Sequence, residues 1–299
     1  MDILTHAGIG LIAAAPLVGS RPELALGFVA GSVLPDLDAL CRVFGKRAYL
    51  RAHQTWSHAL PVQVVFSALA GLAMHACGGD GLALGLGLLA GLVVHTLLDF
   101  SNTLGVALLA PFSRRRFCLE WVFFIDAFVG LLTFGIAACT LWLFYRNGDV
   151  PMAYAETFFG VMTLYVGAKG ILRRRAGMLV SEAITLMPSA LWPWRFFGVI
   201  KAGNSVQRFG FNAINGRRET LATHDVLDAT HAGLLAGVPE FVLMRELSPA
   251  YHVVGVEKTD AGELVACRDL RTRNFQTTFG DLEVLLDGDK RVIGTTFHV

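Results

Sequence analysis

Histidines and aspartates recur at chemically useful spacings inside a largely apolar sequence. His95 and Asp99 stand four residues apart at the end of an apolar run, and in a helix this spacing stacks two side chains on one face. Asp36 and Asp38 follow Pro35 at another apolar boundary, where two neighbouring carboxylates repel each other unless a cation or hydrogen-bond donors lie close by. Each pair could bind a divalent metal, although a local hydrogen bond or helix capping would also explain it.

Further imidazoles complete a ligand set of mixed nitrogen and oxygen character. His53 and His58 lie in a loop before an apolar run, His6 stands near the start of the chain, and Asp126 lies near the start of the apolar segment 121–145. Imidazole with carboxylate suits zinc, and also manganese or iron. Paired metal ions lower the pKa of a bridging water to about 7 and stabilise charge developing at phosphorus. The set therefore predicts metal-assisted hydrolysis of an ester, most naturally a phosphoester.

The composition indicates that membrane-embedded elements must position these residues. The 299-residue chain is 54% hydrophobic and only 16% charged, with 32 glycines and a mean hydropathy of +0.54, which excludes an ordinary cytosolic globule. Its five cysteines show no CxxC spacing, so neither a thiolate zinc site nor a disulfide framework is indicated. The net charge of +1 gives no field that would favour a nucleic-acid partner.

Six apolar segments are predicted to form the membrane domain. Four are long enough to cross a bilayer as helices: 59–76, 81–98, 121–145 and 151–168. Two shorter segments, 7–19 and 24–34, are either tilted spans or a re-entrant hairpin. We therefore expect an α-helical polytopic membrane domain of about six segments over residues 1–175.

The distribution of lysine and arginine predicts the orientation. With six crossings, the basic residues of 42–51, 114–116 and 173–175 fall on one side, and only Arg21 and Arg146 fall on the other. The first side is therefore expected to be cytoplasmic, together with both termini. The candidate ligands fall at this end of their segments, whereas His75 falls at the opposite end. Arg114, Arg115 and Arg116 have two open interpretations, a phosphate-binding group or positive-inside anchors.

Residues 176–299 are predicted to form a small, mainly β cytoplasmic domain. Short runs rich in β-branched or aromatic residues, separated by turn-forming residues, occur at 253–257, 264–268, 274–279 and 291–297. We expect a small antiparallel sheet. At the entry to this domain, Trp192 and Trp194 with their neighbouring prolines form either an amphipathic collar at the membrane surface or a packed turn.

At the candidate ligands the sequence resembles the YdjM-type family of LexA-regulated, membrane-bound metal-dependent hydrolases. The motifs that carry the resemblance cover most of residues 1–130: Thr5-His6, 31–38, 53–58, 95–99, 102–105, 111–114 and Ile125-Asp126. The resemblance implies a bacterial inner-membrane protein related to zinc-dependent phospholipase C and single-strand nucleases. It also implies two or three zinc ions held by histidine and aspartate.

Motif by motif, the resemblance assigns roles to eight residues. The expected metal ligands are His6, Asp36, His53, His58, His95 and Asp99. Asp38 and Asp126 are assigned to the catalytic centre, as further ligands or as residues that orient ligands. One departure stands out, because the family loop usually reads His-Arg-Gly-x-Thr-His-Ser and this chain has Gln54 and Thr55 in place of the arginine and glycine.

Three functions compete at this point. The leading one is a metal-dependent hydrolase at the cytoplasmic membrane face that acts on a phospholipid or another phosphorylated small molecule. The second is an ion-coupled transporter, which needs its site near the membrane midplane. The third is a scaffold with a structural metal, which predicts a closed coordination shell.

Overall fold

The computed structural model describes residues 1–272 and 277–299. The chain divides into two compact units, Met1–Gly170 and Ile171–Val299. The first unit is helical and the second contains the β-strands, which confirms the predicted order of a helical half followed by a β half.

The helical unit is built from seven helices and short 3₁₀ segments, the last helix continuing into the second unit. They are α1 (Ile3–Ala14), α2 (Pro22–Val33), α3 (Lys46–Ala52), α4 (Leu60–Ala76), α5 (Gly81–Ser101), α6 (Ala127–Asn147) and α7 (Met152–Leu179). A 3₁₀ segment at Ala15–Leu17 follows α1, and a longer one at Leu34–Phe44 extends α2 through Pro35.

The prediction of six membrane spans is not supported. Among the described residues, three helical stretches are long and apolar enough to cross a membrane, namely Pro22–Phe44, Gly81–Ser101 and Ala127–Asn147. Ile3–Leu17 and Leu60–Ala76 are apolar but shorter. The expected span at 151–168 forms part of the long helix α7, but that helix includes Glu156 and Lys169, which lower its hydropathy. The expected span at 121–145 begins only at Ala127, because Asp126 caps the helix there.

Two glycine pairs bring α2 and α5 into backbone contact. A Cβ added at Gly31 would lie 2.3 Å from the Leu88 carbonyl oxygen, and one added at Gly91 would lie 2.3 Å from the Phe28 carbonyl oxygen. Gly27 and Gly87 make the equivalent contacts one helical turn earlier. Small residues at such spacings let membrane helices approach closely. Because residue numbers rise together along both helices, α2 and α5 run parallel.

Because α2 and α5 are parallel, the chain must run from the end of α2 back to the end of the unit where α5 begins. Helix α4 covers that distance. An added Cβ at Gly71 would lie 2.6 Å from the Gly81 carbonyl oxygen, whereas one at Gly85 would lie 3.1 Å from the carbonyl oxygen of Ser67. Residue numbers fall along α4 as they rise along α5, so the two helices are antiparallel. The start of α4 therefore lies at the end of the unit where α2 and α5 finish.

The described residues of the second unit form two four-stranded antiparallel sheets, each with its strands in chain order. The first consists of β1 (Ala183–Pro188), β2 (Arg195–Ala202), β3 (Ser205–Asn212) and β4 (Arg218–Asp225), and the second of β5 (Tyr251–Thr259), β6 (Gly262–Asp269), β7 (Leu282–Leu286) and β8 (Val292–Phe297). Two short helices, α8 (Asp228–His231) and α9 (Pro239–Leu247), connect them. Phe196, Phe209 and Phe211 form the core of the first sheet together with Ala176 and Val180.

The predicted single sheet is wrong in extent. The predicted strands at 253–257, 264–268 and 291–297 correspond to β5, β6 and β8. Of the predicted strand at 274–279, residues 274–276 lie outside the described residues, and 277–279 are not in a strand. The whole first sheet was not predicted, although β2 contains aromatic and β-branched residues, namely Phe196, Phe197, Val199 and Ile200.

Candidate metal centre

Four predicted ligands converge in the helical unit. Asp36, His58, His95 and Asp99 are all buried, and each offers a ligand atom within 4.8 Å of the others. His58 Nε2 lies 3.1 Å from both His95 Nε2 and Asp99 Oδ2. His95 Nε2 lies 3.5 Å from Asp36 Oδ1 and 3.8 Å from Asp99 Oδ2. These four residues are called the His/Asp cluster below.

Four of the six distances between ligand atoms of the His/Asp cluster are close to those around a tetrahedral metal ion. Zinc bound at roughly 2.0–2.1 Å by nitrogen and oxygen sets neighbouring ligand atoms about 3.3 Å apart. The four distances above, 3.1 to 3.8 Å, scatter around that value. Asp36 Oδ2 is moreover buried without a hydrogen-bond partner among the described residues. A buried carboxylate oxygen in that state is costly, and a cation would remove the cost.

The hydrogen bonds around the two histidines leave each Nε2 suited to a metal. His95 Nδ1 lies 2.8 Å from the carbonyl oxygen of Ser32; because a carbonyl only accepts, Nδ1 carries the proton and Nε2 presents its lone pair to the cluster. Burial, with His95 and His53 close by, lowers the pKa of His58 well below its usual range. His58 is therefore neutral near pH 7, the state in which imidazole binds metal.

Asp38 lies beside the His/Asp cluster and orients its loop. Its carboxylate accepts hydrogen bonds from His53 Nδ1 at 2.6 Å, from the Gln54 backbone N–H at 2.9 Å and from Ser57 Oγ at 2.5 Å. Its Oδ2 also lies 3.6 Å from His58 Nδ1, and Ser57 Oγ lies 2.9 Å from that same nitrogen. Asp38 thus fixes the loop that supplies His58, as expected of a residue that orients a ligand.

His6 and His53 adjoin the cluster without belonging to it. The His6 ring stacks on His95 with centroids 3.6 Å apart, and its Nε2 lies 3.2 Å from Asp99 Oδ1. The other ring nitrogen, Nδ1, is buried without a partner among the described residues. His53 instead uses Nδ1 on Asp38 and stacks on Tyr49 at 4.9 Å. The amino group of Met1 also contacts Asp99 Oδ1.

Asp126 has a different local role from the other predicted site residues. Its Oδ1 caps α6 by accepting hydrogen bonds from the backbone N–H groups of Phe128 and Val129. The Tyr165 hydroxyl donates to the same oxygen at 2.8 Å, and Lys169 Nζ lies 3.6 Å from Oδ2. The structure does not bring Asp126 into the His/Asp cluster.

Two residues with clear roles at the site were not predicted as site residues. Gln54, in a left-handed conformation with φ of 58°, donates from Nε2 to Asp99 Oδ2 at 2.9 Å. Arg116 donates to the backbone carbonyls of Leu50, His53 and Gly105 and so braces the histidine loop. A neutral amide gave no signal in the sequence. Arg116 was not singled out because it belongs to a run of three arginines, and such a run is also typical of a cytoplasmic loop that follows the positive-inside rule.

The fold and the site together define a class: a membrane protein with a buried histidine–aspartate cluster that could hold a metal ion. Residues 1–176 match the family model described as "YdjM inner membrane protein". The chain therefore belongs to the YdjM inner membrane protein family.

A curated relative and the solved structures add little about function. The chain is 27% identical over 177 residues to "Uncharacterized protein YfhP" of Bacillus subtilis (strain 168). That match covers 56% of this chain and 53% of the relative, so the chain spans about half of the relative's length. No solved structure matches the chain.

Proposed function

We propose that this protein is a membrane-bound, metal-dependent hydrolase of phosphoesters, with zinc as the preferred ion and manganese or iron as substitutes. The observation that carries the proposal is the buried His/Asp cluster, whose four ligand atoms lie within 4.8 Å of one another, with four of their distances near those of a tetrahedral zinc site. When bound there, zinc would supply a hydroxide at neutral pH and would stabilise charge at phosphorus.

The residues around the cluster provide the other requirements of such a reaction. Asp38 and Ser57 fix the orientation of His58, and the Ser32 carbonyl fixes that of His95. Asp36 Oδ2, buried without a donor among the described residues, is available to accept a hydrogen bond or a proton from a water molecule. Gln54 holds Asp99 in place. These are the roles of residues that position ligands and move protons at an active site.

The position of the cluster supports a hydrolase over a transporter. His95 and Asp99 lie in the last two turns of α5, Asp36 follows the end of α2, and His58 precedes the start of α4. All four therefore lie at one end of the helices, whereas transport sites lie near the membrane midplane between broken helices.

The same end carries the basic loops, which supports a cytoplasmic site. Arg116 from the loop between α5 and α6 bonds the 50–55 segment directly, so the loops containing 42–51 and 114–116 lie together beside the cluster. By the positive-inside rule, this end faces the cytoplasm. A phosphoester of the cytoplasmic leaflet or of the cytoplasm is then the substrate class that can reach the site.

A metal-binding scaffold is the second candidate, and one observation favours it. Four protein ligands fill a tetrahedral shell, which is the arrangement of structural zinc sites, whereas catalytic sites keep one position for water. Cobalt(II) substitution separates the two functions. An open position gives a visible spectrum that changes with pH or added phosphate, and a closed shell gives a spectrum that changes with neither.

The first experiment is the metal content of detergent-purified protein, measured by inductively coupled plasma mass spectrometry. We compare the wild type, the His95→Ala/Asp99→Ala variant and a control, His75→Ala/Asp80→Asn, with changes at the opposite end of the helices. Metal in the wild type and the control but not in the folded site variant supports the proposal and justifies a phosphoesterase screen. No metal in any of them after supplementation contradicts it.

A further inference from the structure

The second unit has a cleft at one end of its first sheet, at the tryptophans that the sequence left open between a membrane-surface collar and a packed turn. The cleft has a volume of about 670 Å³ and is lined by Trp192, Trp194, Arg195, Phe211, Arg217 and Glu219, among others. It lies between the β1–β2 connection and the β3–β4 turn, which are joined by the hydrogen bond from the Ala213 N–H to the Trp194 carbonyl.

Large apolar side chains project from these two turns. Leu191 is 69% exposed, Ile214 57%, Trp192 52% and Trp194 37%. The two indole rings lie side by side with centroids 5.6 Å apart. We call these four residues the tip surface. Exposed aromatic and aliphatic groups held on tight turns cost solubility unless something covers them.

Arginines surround the tip surface and make its rim basic. Arg195 lies 3.6 Å from Glu219, and Arg218 lies 2.8 Å from Glu182, so these two are partly neutralised. Arg217 has no ion pair among the residues that the structure describes. A fourth, Arg175, donates to the Ile214 carbonyl at 3.1 Å. The rim thus has four arginines against two glutamates.

We propose that the tip surface docks onto a bilayer surface that contains anionic phospholipid. Indole rings favour the region between headgroups and acyl chains, and arginines near an anionic surface are attracted to its headgroups. The tip surface supplies the indole rings and its rim supplies the arginines, and both lie at the same end of the first sheet.

The connectivity of the chain makes a bilayer the fitting occupant. Arg175 belongs to the first residues of this unit, which begins at Ile171, so its bond to Ile214 joins the tip surface to the N-terminal segment of the same unit. The chain links this unit to an apolar helical unit, and such tethering raises the effective concentration of a bilayer surface without any third molecule.

The test compares amide hydrogen exchange of the full-length protein in nanodiscs of phosphatidylcholine alone and of phosphatidylcholine with phosphatidylglycerol. We expect amides in 189–194 and 213–217 to exchange at least about fivefold more slowly in the anionic bilayer, the effect of one arginine engaged at such a surface. The difference should disappear at high salt. Equal exchange in both bilayers would overturn the proposal, as would protection in detergent that grows with protein concentration.

Charge-reversal variants separate lipid docking from general changes in stability. Arg217→Glu should return exchange in the anionic bilayer to the phosphatidylcholine rate. Arg291→Glu, an exposed arginine next to Val292 and Ile293 on the second sheet, should leave the protection intact. The proposal is overturned if the two variants behave alike.

A measurement that needs no charge change is quenching of tryptophan fluorescence by lipids brominated in the upper acyl chain. Docking predicts that the conservative Trp192→Phe/Trp194→Phe variant loses part of the wild-type quenching, because the quenched indoles have been removed. If the fraction quenched is the same in the variant and the wild type, the tip surface does not reach the bilayer.

Discussion

Asp38 determines the orientation of the histidine loop, although it is not one of the four converging ligands. Asp38→Asn keeps the size of the side chain but removes the charge that receives Ser57 Oγ and His53 Nδ1. We expect metal affinity to fall by about 10- to 100-fold, the usual effect of losing a residue that orients a ligand. Competition with a chelating dye measures this affinity.

The matched control for Asp38 is Asp80→Asn. Asp80 caps α5 at the opposite end of the helix from Asp99. The Asp80→Asn variant therefore loses a carboxylate far from the histidine loop, and its metal affinity should equal that of the wild type. An Asp38→Asn protein with wild-type affinity would show that the loop holds its geometry without Asp38.

Arg116 braces the same loop by a fork of hydrogen bonds to backbone carbonyls. Lysine keeps the charge but lacks the planar fork, so Arg116→Lys should lower the affinity for metal at least tenfold. It should also reduce stability by about 2 kcal/mol, since charge-assisted hydrogen bonds are lost in a mostly buried position. The exposed Arg114→Lys serves as the control in metal titration and thermal unfolding. If the two variants have the same metal affinity and the same unfolding temperature, the hydrogen bonds of Arg116 do not support the site, and its role is that of a positive charge in a cytoplasmic loop.

At the residue scale, the sequence predicted that Asp36, His58, His95 and Asp99 lie close together, because ionisable side chains at the ends of apolar segments are costly without a function. Their role as metal ligands stays a prediction. His6 and His53 met the same criterion but lie beside the cluster of four. Their positions depend on side-chain contacts over a few ångströms, which residue spacing does not encode.

Among the elements, the packing of α2 on α5 fixes the distance between the two halves of the site. Gly31→Ala should force these helices apart, because the added Cβ would lie 2.3 Å from a backbone oxygen. The hydrogen bond from His95 Nδ1 to Ser32, the neighbour of Gly31, would be lost with it. We expect a loss of stability of about 1–3 kcal/mol from overpacking and reduced metal content, both measured in detergent.

Gly135→Ala in α6 is the matched control for this overpacking. It also replaces a helical glycine, but its added Cβ meets no atom within 4 Å, so the unfolding temperature should stay the same or rise slightly. A Gly31→Ala protein as stable and as metal-loaded as Gly135→Ala would contradict the role of the glycine contact.

At the scale of elements, apolar length was a poor guide to the number of spans. Pro35 favoured a new helix after it, and a 3₁₀ helix does run from Leu34 to Phe44 there. The longest helix, α7, is not among the stretches long and apolar enough to cross a membrane. Glycines were the better guide to packing, because Gly85, Gly87 and Gly91 of α5 lie where the close helix contacts occur. The first β-sheet was not predicted, although Phe196, Phe197, Val199 and Ile200 in β2 have high strand propensity.

For the whole molecule, the proposed orientation in the membrane combines helix directions with the positions of the charged loops. Because α2 and α5 are parallel and α4 is antiparallel to both, the turn between α4 and α5 lies at the opposite end from the His/Asp cluster. The loop between α5 and α6 lies at the same end as the cluster. Cys77 and Cys118 are exposed residues of these two connections, so they can report the two sides of the membrane.

The topology proposal therefore predicts opposite labelling of these two cysteines in intact cells. With the other cysteines replaced by serine, a membrane-impermeant maleimide should label a protein that retains Cys77 but not one that retains Cys118, because the basic loops stay in the cytoplasm. Disrupting the membrane should make both react, which shows that Cys118 is accessible in the folded protein. Labelling of Cys118 alone in intact cells would place the His/Asp cluster on the outer side and would exclude cytoplasmic phosphoesters as its substrates.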